Sequence, residues 1–209
     1  IMSSYYVCNK DGSDENVGSE TSPFKTINKA SFLAKPGDTI IVKPGIYRER
    51  VIPNKSGYRS SPITYKSLEK NKAIIRGSIE WKPEKEENNL LIGPLDSSVF
   101  TDDSHYDGAN PFLIKCCVTP FKREGAPETK IKEIRNSDPK MFYCLGQVFV
   151  EDEMYLQCPY KNEMEKTDKS WFYDSSQNLL FINGANKSQN IEITNQRRLF
   201  APHKRGLKH

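Results

Sequence analysis

Residues 34–49 read Ala34-Lys35-Pro36-Gly37-Asp38-Thr39-Ile40-Ile41-Val42-Lys43-Pro44-Gly45-Ile46-Tyr47-Arg48-Glu49. Two Pro-Gly pairs bracket a β-branched run, so the chain turns, extends over 39–43 and turns again. Upstream, Phe24, Ile27, Ala30, Leu33 and Ala34 recur at helical spacing, which predicts a helix over 23–34. Ser22 suits its N-cap and Pro23 its first turn, and Lys35-Pro36-Gly37-Asp38 ends it. A strand over 5–8 and a polar loop over 9–22 precede that helix. Downstream, short runs at 46–49, 50–53, 62–66 and 73–77 read as strands separated by turns. One helix among many short strands indicates an all-β architecture.

The second half continues the pattern. Residues 82–89 read as a charged loop, and 120–140 as a mixed segment around one strand, Thr129–Ile134. Gln147–Val150 and Met154–Gln157 flank Glu151-Asp152-Glu153 as one hairpin. Residues 170–173 and 179–182 flank Asp174-Ser175-Ser176-Gln177-Asn178 as another. Residues 191–194 alternate as a last strand. Cys144 and Cys158 flank the first hairpin, but five cysteines without a CxxC read more simply as buried thiols.

Composition narrows the function classes. The 209 residues carry 31 Lys+Arg against 27 Asp+Glu, a net charge of +4. That balance is too mild for a nucleic-acid protein, which calls for a basic stripe. Apolar runs fall far short of the roughly 20 residues of a membrane helix, so no membrane span is expected. An 11% aromatic content argues for a packed core over disorder. The chain shows no signal-peptide pattern, and the expectation is the N-terminal portion of a longer protein.

The ordered set Tyr5-Tyr6-Val7, Asp11-Gly12-Ser13-Asp14, Gly18, Ser22-Pro23-Phe24-Lys25-Thr26-Ile27, Ala30 and 34–49 is more specific. It resembles the N-terminal entry segment of right-handed parallel β-helix proteins of the pectate-lyase-like superfamily. The resemblance implies a right-handed parallel β-helix start, capped by the amphipathic α-helix. A cap has a physical rationale, because the first coil of a solenoid exposes an apolar end and free strand edges. Residues 140–200 resemble the β-rich subdomain inserted in some β-helix glycoside hydrolases. The implied organisation is a cap with first rungs over 1–115, an inserted antiparallel β-hairpin subdomain over 116–198, and a return toward the β-helix over 199–209.

The resemblance implies polysaccharide or glycan as partner and an extracellular, periplasmic or cell-surface location. Two functions stay open: cleavage of glycosidic bonds by a hydrolase or lyase, or a non-catalytic glycan-binding, adhesin or scaffold role. In enzymes of this kind the catalytic groups sit on later rungs, so most of the active site is expected outside this chain. Within it, Asp102, Asp103, His105 and Asp107 concentrate titratable groups, as a carboxylate pair or a His base on a glycosidic bond requires. A solvated loop explains the same residues. Lys43, Arg48 and Arg50 can neutralise a uronate or pair with acids such as Glu49. Trp81, Tyr160 and Trp171 can stack on sugar rings or pack in a core. No cofactor is implied, although Asp11 and Asp14 would suit Ca²⁺ if they did not cap their own turn.

Overall fold

The computed structural model describes residues 2–100, 110–116, 143–196 and 199–201. It divides into two compact units, residues 1–77 with 196–209, and residues 78–195.

The first unit is built from five short strands, β1 (Ser4–Val7), β2 (Thr39–Val42), β3 (Gly45–Tyr47), β4 (Thr64–Ser67) and β5 (Ala73–Ile75). β2 lies between β1 and β4, all parallel, so Tyr5, Ile40 and Tyr65 share one level and Val7, Val42 and Ser67 another. β3 pairs with β5 in parallel, Tyr47 beside Ile75, and Val51 pairs in parallel with Phe200. Coil lies on coil along three successive sides, the start of a right-handed parallel β-helix. Val7, Ile40, Val42, Tyr47 and Val51 point into its core.

One helix, α1 (Ile27–Leu33), occupies the crossover from β1 to β2. Its Ile27 and Ala30, with Ala34 just beyond, are buried in that same core, which makes it the cap over the coil interior. It starts later than the periodicity predicts. Phe24 is extended and bridges Val7, its N–H donating to Tyr6 O at 2.9 Å while Cys8 N–H donates to Phe24 O at 2.8 Å. Tertiary pairing therefore takes the first predicted turn, and Thr26 replaces Ser22 as N-cap, its Oγ1 accepting from Lys29 N–H at 3.1 Å. Glu49 then accepts from Ile27 N–H at 2.9 Å and from Asn28 N–H at 3.0 Å. Asp38 does the same for the turn into β2, accepting from Ser3 N–H at 2.8 Å and Lys35 N–H at 2.9 Å. The strand expected over 50–53 reduces to the single Val51 bridge.

The second unit is a two-sheet sandwich. β6 (Ser78–Glu80), β11 (Val148–Val150), β12 (Glu153–Met154) and β16 (Ile191–Thr194) form one sheet in the order β12-β11-β16-β6. The other has the order β13-β14-β15-β8-β7, from β7 (Lys85–Glu87), β8 (Leu90–Pro94), β13 (Leu156–Gln157), β14 (Ser170–Asp174) and β15 (Leu179–Asn183). A two-stranded ribbon joins β9 (Lys115–Cys116) to β10 (Tyr143–Cys144), and a short helix, α2 (Lys161–Met164), precedes β14. Val148, Val150, Ile191 and Ile193 meet Leu91, Trp171, Leu180 and Ile182 in one core. Each such side chain contributes about 1.5–3 kcal/mol. An exposed ion pair such as Lys169–Glu153, at 2.8 Å, contributes about 0–1 kcal/mol, so apolar burial holds the sandwich.

The second predicted hairpin forms as β14 with β15, whereas the first forms only at its turn, β11 with β12, because Leu156-Gln157 of its second arm pair with β14 in the other sheet. The residues read as a charged loop contain β7, and the expected strand Thr129–Ile134 lies outside the described residues. The compact unit opens at Ser78, ahead of the 116 expected from sequence, because β6 and β8 pair antiparallel with β16 and β15. Those partners lie some hundred residues away, beyond what local periodicity encodes. Within the first unit, Gln196 N–H donates to Gly77 O at 3.0 Å, joining the points where the chain leaves and re-enters. Cys8, Cys144 and Cys158 are free thiols.

Burial raises the Glu49 pKa above its ordinary value of 4.5, against the lowering effect of its hydrogen bonds from Ile27 and Asn28. A folded pKa above the unfolded one means stability fully present below about pH 4.5 and lost as pH rises through the folded value. Denaturant midpoints measured across that window are expected to fall with pH for the wild type and to flatten in Glu49→Gln. An unchanged slope in the variant would assign the effect elsewhere.

Candidate functional site

The open face of the five-stranded sheet carries the described surface best suited to a ligand. The β7–β8 hairpin turns on Asn88 and Asn89, with φ of 51° and 62°. Asparagine tolerates that left-handed region, and two such residues in sequence suit a hairpin turn. Strand alternation sends Leu91, Leu180 and Ile182 into the sandwich core, and Leu90, Ile92 and Phe181 to the opposite face. There α2 covers part of the sheet, burying Met164 and Cys158 against Phe181. Asn183 Nδ2 fastens the end of α2 by donating to Met164 O and Thr167 O, both at 3.0 Å. Burial raises the Cys158 thiol pKa, which makes that sulfur a packing group and a poor nucleophile.

The uncovered part is a groove of about 560 Å³ between the β7–β8 hairpin and α2. Its lining is mainly polar, with half-buried Leu179 above the buried Leu90, Ile92 and Phe181. Lys161 Nζ sits 4.4 Å from the Phe181 ring centroid and 3.9 Å from Glu165 Oε1. Lys85 Nζ donates to Glu87 Oε2 at 2.9 Å, and that bond and charge hold the Glu87 carboxyl below its ordinary value. The groove thus presents exposed amides and two lysine–glutamate pairs around a small apolar patch. That arrangement offers donors and acceptors to a hydroxyl-rich ligand.

The residues singled out in the sequence lie elsewhere. Asp102, Asp103, His105 and Asp107 fall outside the described residues. Trp171 is 1% exposed and donates its indole N–H to Tyr155 O at 3.1 Å, so no ring face is left for a sugar. Trp81 is 7% exposed and donates to Pro94 O at 2.8 Å, with one edge in a depression of about 420 Å³ shared with Lys82, Glu84 and Asp96. Tyr160, half-buried, supplies the N-cap position of α2. Asp14 accepts from Lys25 N–H and Thr26 N–H, both at 2.9 Å, and from the Thr26 hydroxyl at 2.8 Å. Both its oxygens serve the approach to α1, and Asp11 sits beside Cys8 Sγ at 4.0 Å. Among the described residues no group of three or more His, Cys, Asp and Glu gathers to hold a metal ion. Lys43 Nζ donates to Glu20 O at 2.9 Å, Arg48 is exposed, and Arg50 is buried. Lys85, Glu87, Asn88 and Asn89 were hidden in the segment that reads as a charged loop. The Asn-Asn pair before Leu90-Leu91-Ile92 is the local signal of a hairpin there.

A family model described as "Protein of unknown function (DUF1565)" matches residues 10–52. The uncharacterized protein YwoF of Bacillus subtilis (strain 168) is 34% identical over 73 residues, 35% of this chain and 16% of that protein. XylC, solved in complex with xylose, superposes with a TM-score of 0.75 at 25% identity, covering 98% of this chain and 33% of XylC. A glycoside hydrolase superposes at a TM-score of 0.56 and 12% identity, covering 95% of this chain and 47% of its own. The chain therefore spans a third of XylC and under a half of the hydrolase, and its fold is that of a β-helix glycoside-hydrolase-like protein.

Two outcomes check these placements. Trp171→Ala is expected to cost about 3–5 kcal/mol of stability by chemical denaturation, the range for an aromatic removed from a core. A loss below about 1 kcal/mol would mean a surface ring. Melting curves in Ca²⁺ and in EDTA are expected to superimpose, whereas a Ca²⁺-dependent rise in Tm would return Asp11 and Asp14 to metal ligation.

Proposed function

We propose that this chain is the N-terminal portion of a carbohydrate-active β-helix protein of the pectate-lyase-like superfamily, acting on glycosidic bonds of a polysaccharide. The observation that carries the reading is the likeness to XylC, which extends over 98% of this chain. It takes in the β-helix start and the inserted sandwich alike, a combination far more specific than either part. The solved XylC complex contains xylose, so a glycan is the ligand class the likeness supports. The proposal commits to hydrolysis as the reaction to be tested against β-elimination, since a shared fold does not fix chemistry. On this reading most catalytic groups sit on later rungs outside this chain, and this portion supplies the cap, the first coils and a sandwich that contacts sugar.

A non-catalytic glycan-binding role is the second reading. It is favoured by the use of Asp14, Asp38 and Glu49 as backbone acceptors and by the paired charges of the groove. The two readings separate when the full-length protein is incubated with neutral and uronate polysaccharides, following reducing ends and the ultraviolet absorbance of unsaturated products. New reducing ends without that absorbance are expected. Unsaturated products would indicate a lyase, and retention on the polysaccharide without products would indicate the binding role. Neither products nor retention across the panel would overturn the proposal.

A further inference from the structure

We infer that the groove beside α2 is a subsite for an uncharged oligosaccharide, and that it excludes uronate chains. The inference rests on the carbohydrate reading above and goes beyond it by naming a site and a class of sugar. A uronate carboxylate is held by a cation whose charge is not already spent, commonly a guanidinium fork or an unpaired ammonium. Both groove lysines already face carboxylates, Lys85 with Glu87 at 2.9 Å and Lys161 with Glu165 at 3.9 Å. A uronate entering here would meet Glu87 and Glu165 as well as the lysines. The lining as a whole holds two lysines and two glutamates, so it carries no net positive charge to draw in a polyanion.

A neutral sugar needs something different: donors and acceptors for its hydroxyls, and an apolar surface for its C–H faces. The exposed amides of Asn88 and Asn89 stand on one wall of the groove, and Gln177 joins its lining. Each amide both donates and accepts, which matches a hydroxyl in either role. Half-buried Leu179 supplies an apolar edge above the buried Ile92 and Phe181, and Lys161, held over the Phe181 ring, adds ammonium donors. The volume of about 560 Å³ lies within the range of small-molecule sites, about 300–1,000 Å³.

The turn itself provides a clean variant. Asn88 and Asn89 both have φ in the left-handed region, where glycine is at least as well accommodated. Asn88→Gly with Asn89→Gly therefore removes both amides and keeps the hairpin. The chain, labelled with ¹⁵N, is titrated with xylotetraose, cellotetraose, mannotetraose and tetragalacturonate, and Tm is recorded for both proteins. At least one neutral tetrasaccharide is expected to shift the amide signals of Asn88, Asn89, Gln177 and Lys161. Tetragalacturonate is expected to leave them in place, and the glycine variant to bind about tenfold more weakly at an unchanged Tm. Tetragalacturonate bound at the groove as tightly as the neutral sugars would overturn the selectivity. Neutral sugar bound equally by the variant, or shifting other residues only, would overturn the groove assignment and leave the carbohydrate reading intact. No binding by any of the four would also overturn it, whereas failure of the carbohydrate reading is scored separately by polysaccharide turnover and retention.

Discussion

Parallel strand stacking at a rise of one coil per turn is the constraint from which the first unit follows. Once Tyr5, Ile40 and Tyr65 occupy one level, the chain must leave each strand, go round and return in register. That requires tight corners, and Pro44-Gly45 makes one between β2 and β3. It also leaves an apolar interior that needs a lid at its start. The lid is α1, and its position is held less by helix propensity than by acceptors placed around its first turn. Glu49 satisfies the Ile27 and Asn28 N–H groups that helix geometry leaves without partners, and Asp14 holds the N–H groups of Lys25 and Thr26 just ahead of the helix. A helix of seven residues is too short to be stable alone, so burial of Ile27 and Ala30 together with these borrowed carboxylates must hold it.

The second unit solves a different problem. A long insertion must not unravel the coil that it interrupts. The hydrogen bond from Gln196 to Gly77 ties the exit to the return, and Phe200 takes the place beside Val51 that the stack offers. Between them the insertion folds around its own core, with Trp171, Phe112 and Tyr173 in edge-on contact. Its five-stranded sheet is apolar on both faces, and among the described residues one small helix covers part of the second.

The sequence was most legible where local rules and tertiary demands coincide. The β-branched run at 39–42, the Pro-Gly corner and the two later hairpin turns all announce themselves through period and turn chemistry. It was least legible where a residue's role depends on a distant partner. Phe24 looks helical by spacing, yet it is extended because Tyr6 and Cys8 pair with it. Asp14 looks like a metal ligand, yet its oxygens face the N–H groups of Lys25 and Thr26. Trp81 and Trp171 look like sugar platforms, yet they close a core. Lys85–Glu87 look like solvated loop because an edge strand with three exposed charged residues has no alternation to read.

By itself, then, the amino-acid order determined an all-β chain and two hairpin turns of the insertion, which depend on neighbours within a few residues, while the capped coil was legible only through its resemblance to β-helix entry segments. Only the tertiary structure decided where the insertion begins and which aromatic side chains are buried. Those outcomes turn on pairings such as β8 with β15 and β6 with β16, whose paired residues lie 85 to 116 positions apart. Local composition cannot encode them, because strand partners are chosen by the burial of whole faces rather than by the preferences of single residues.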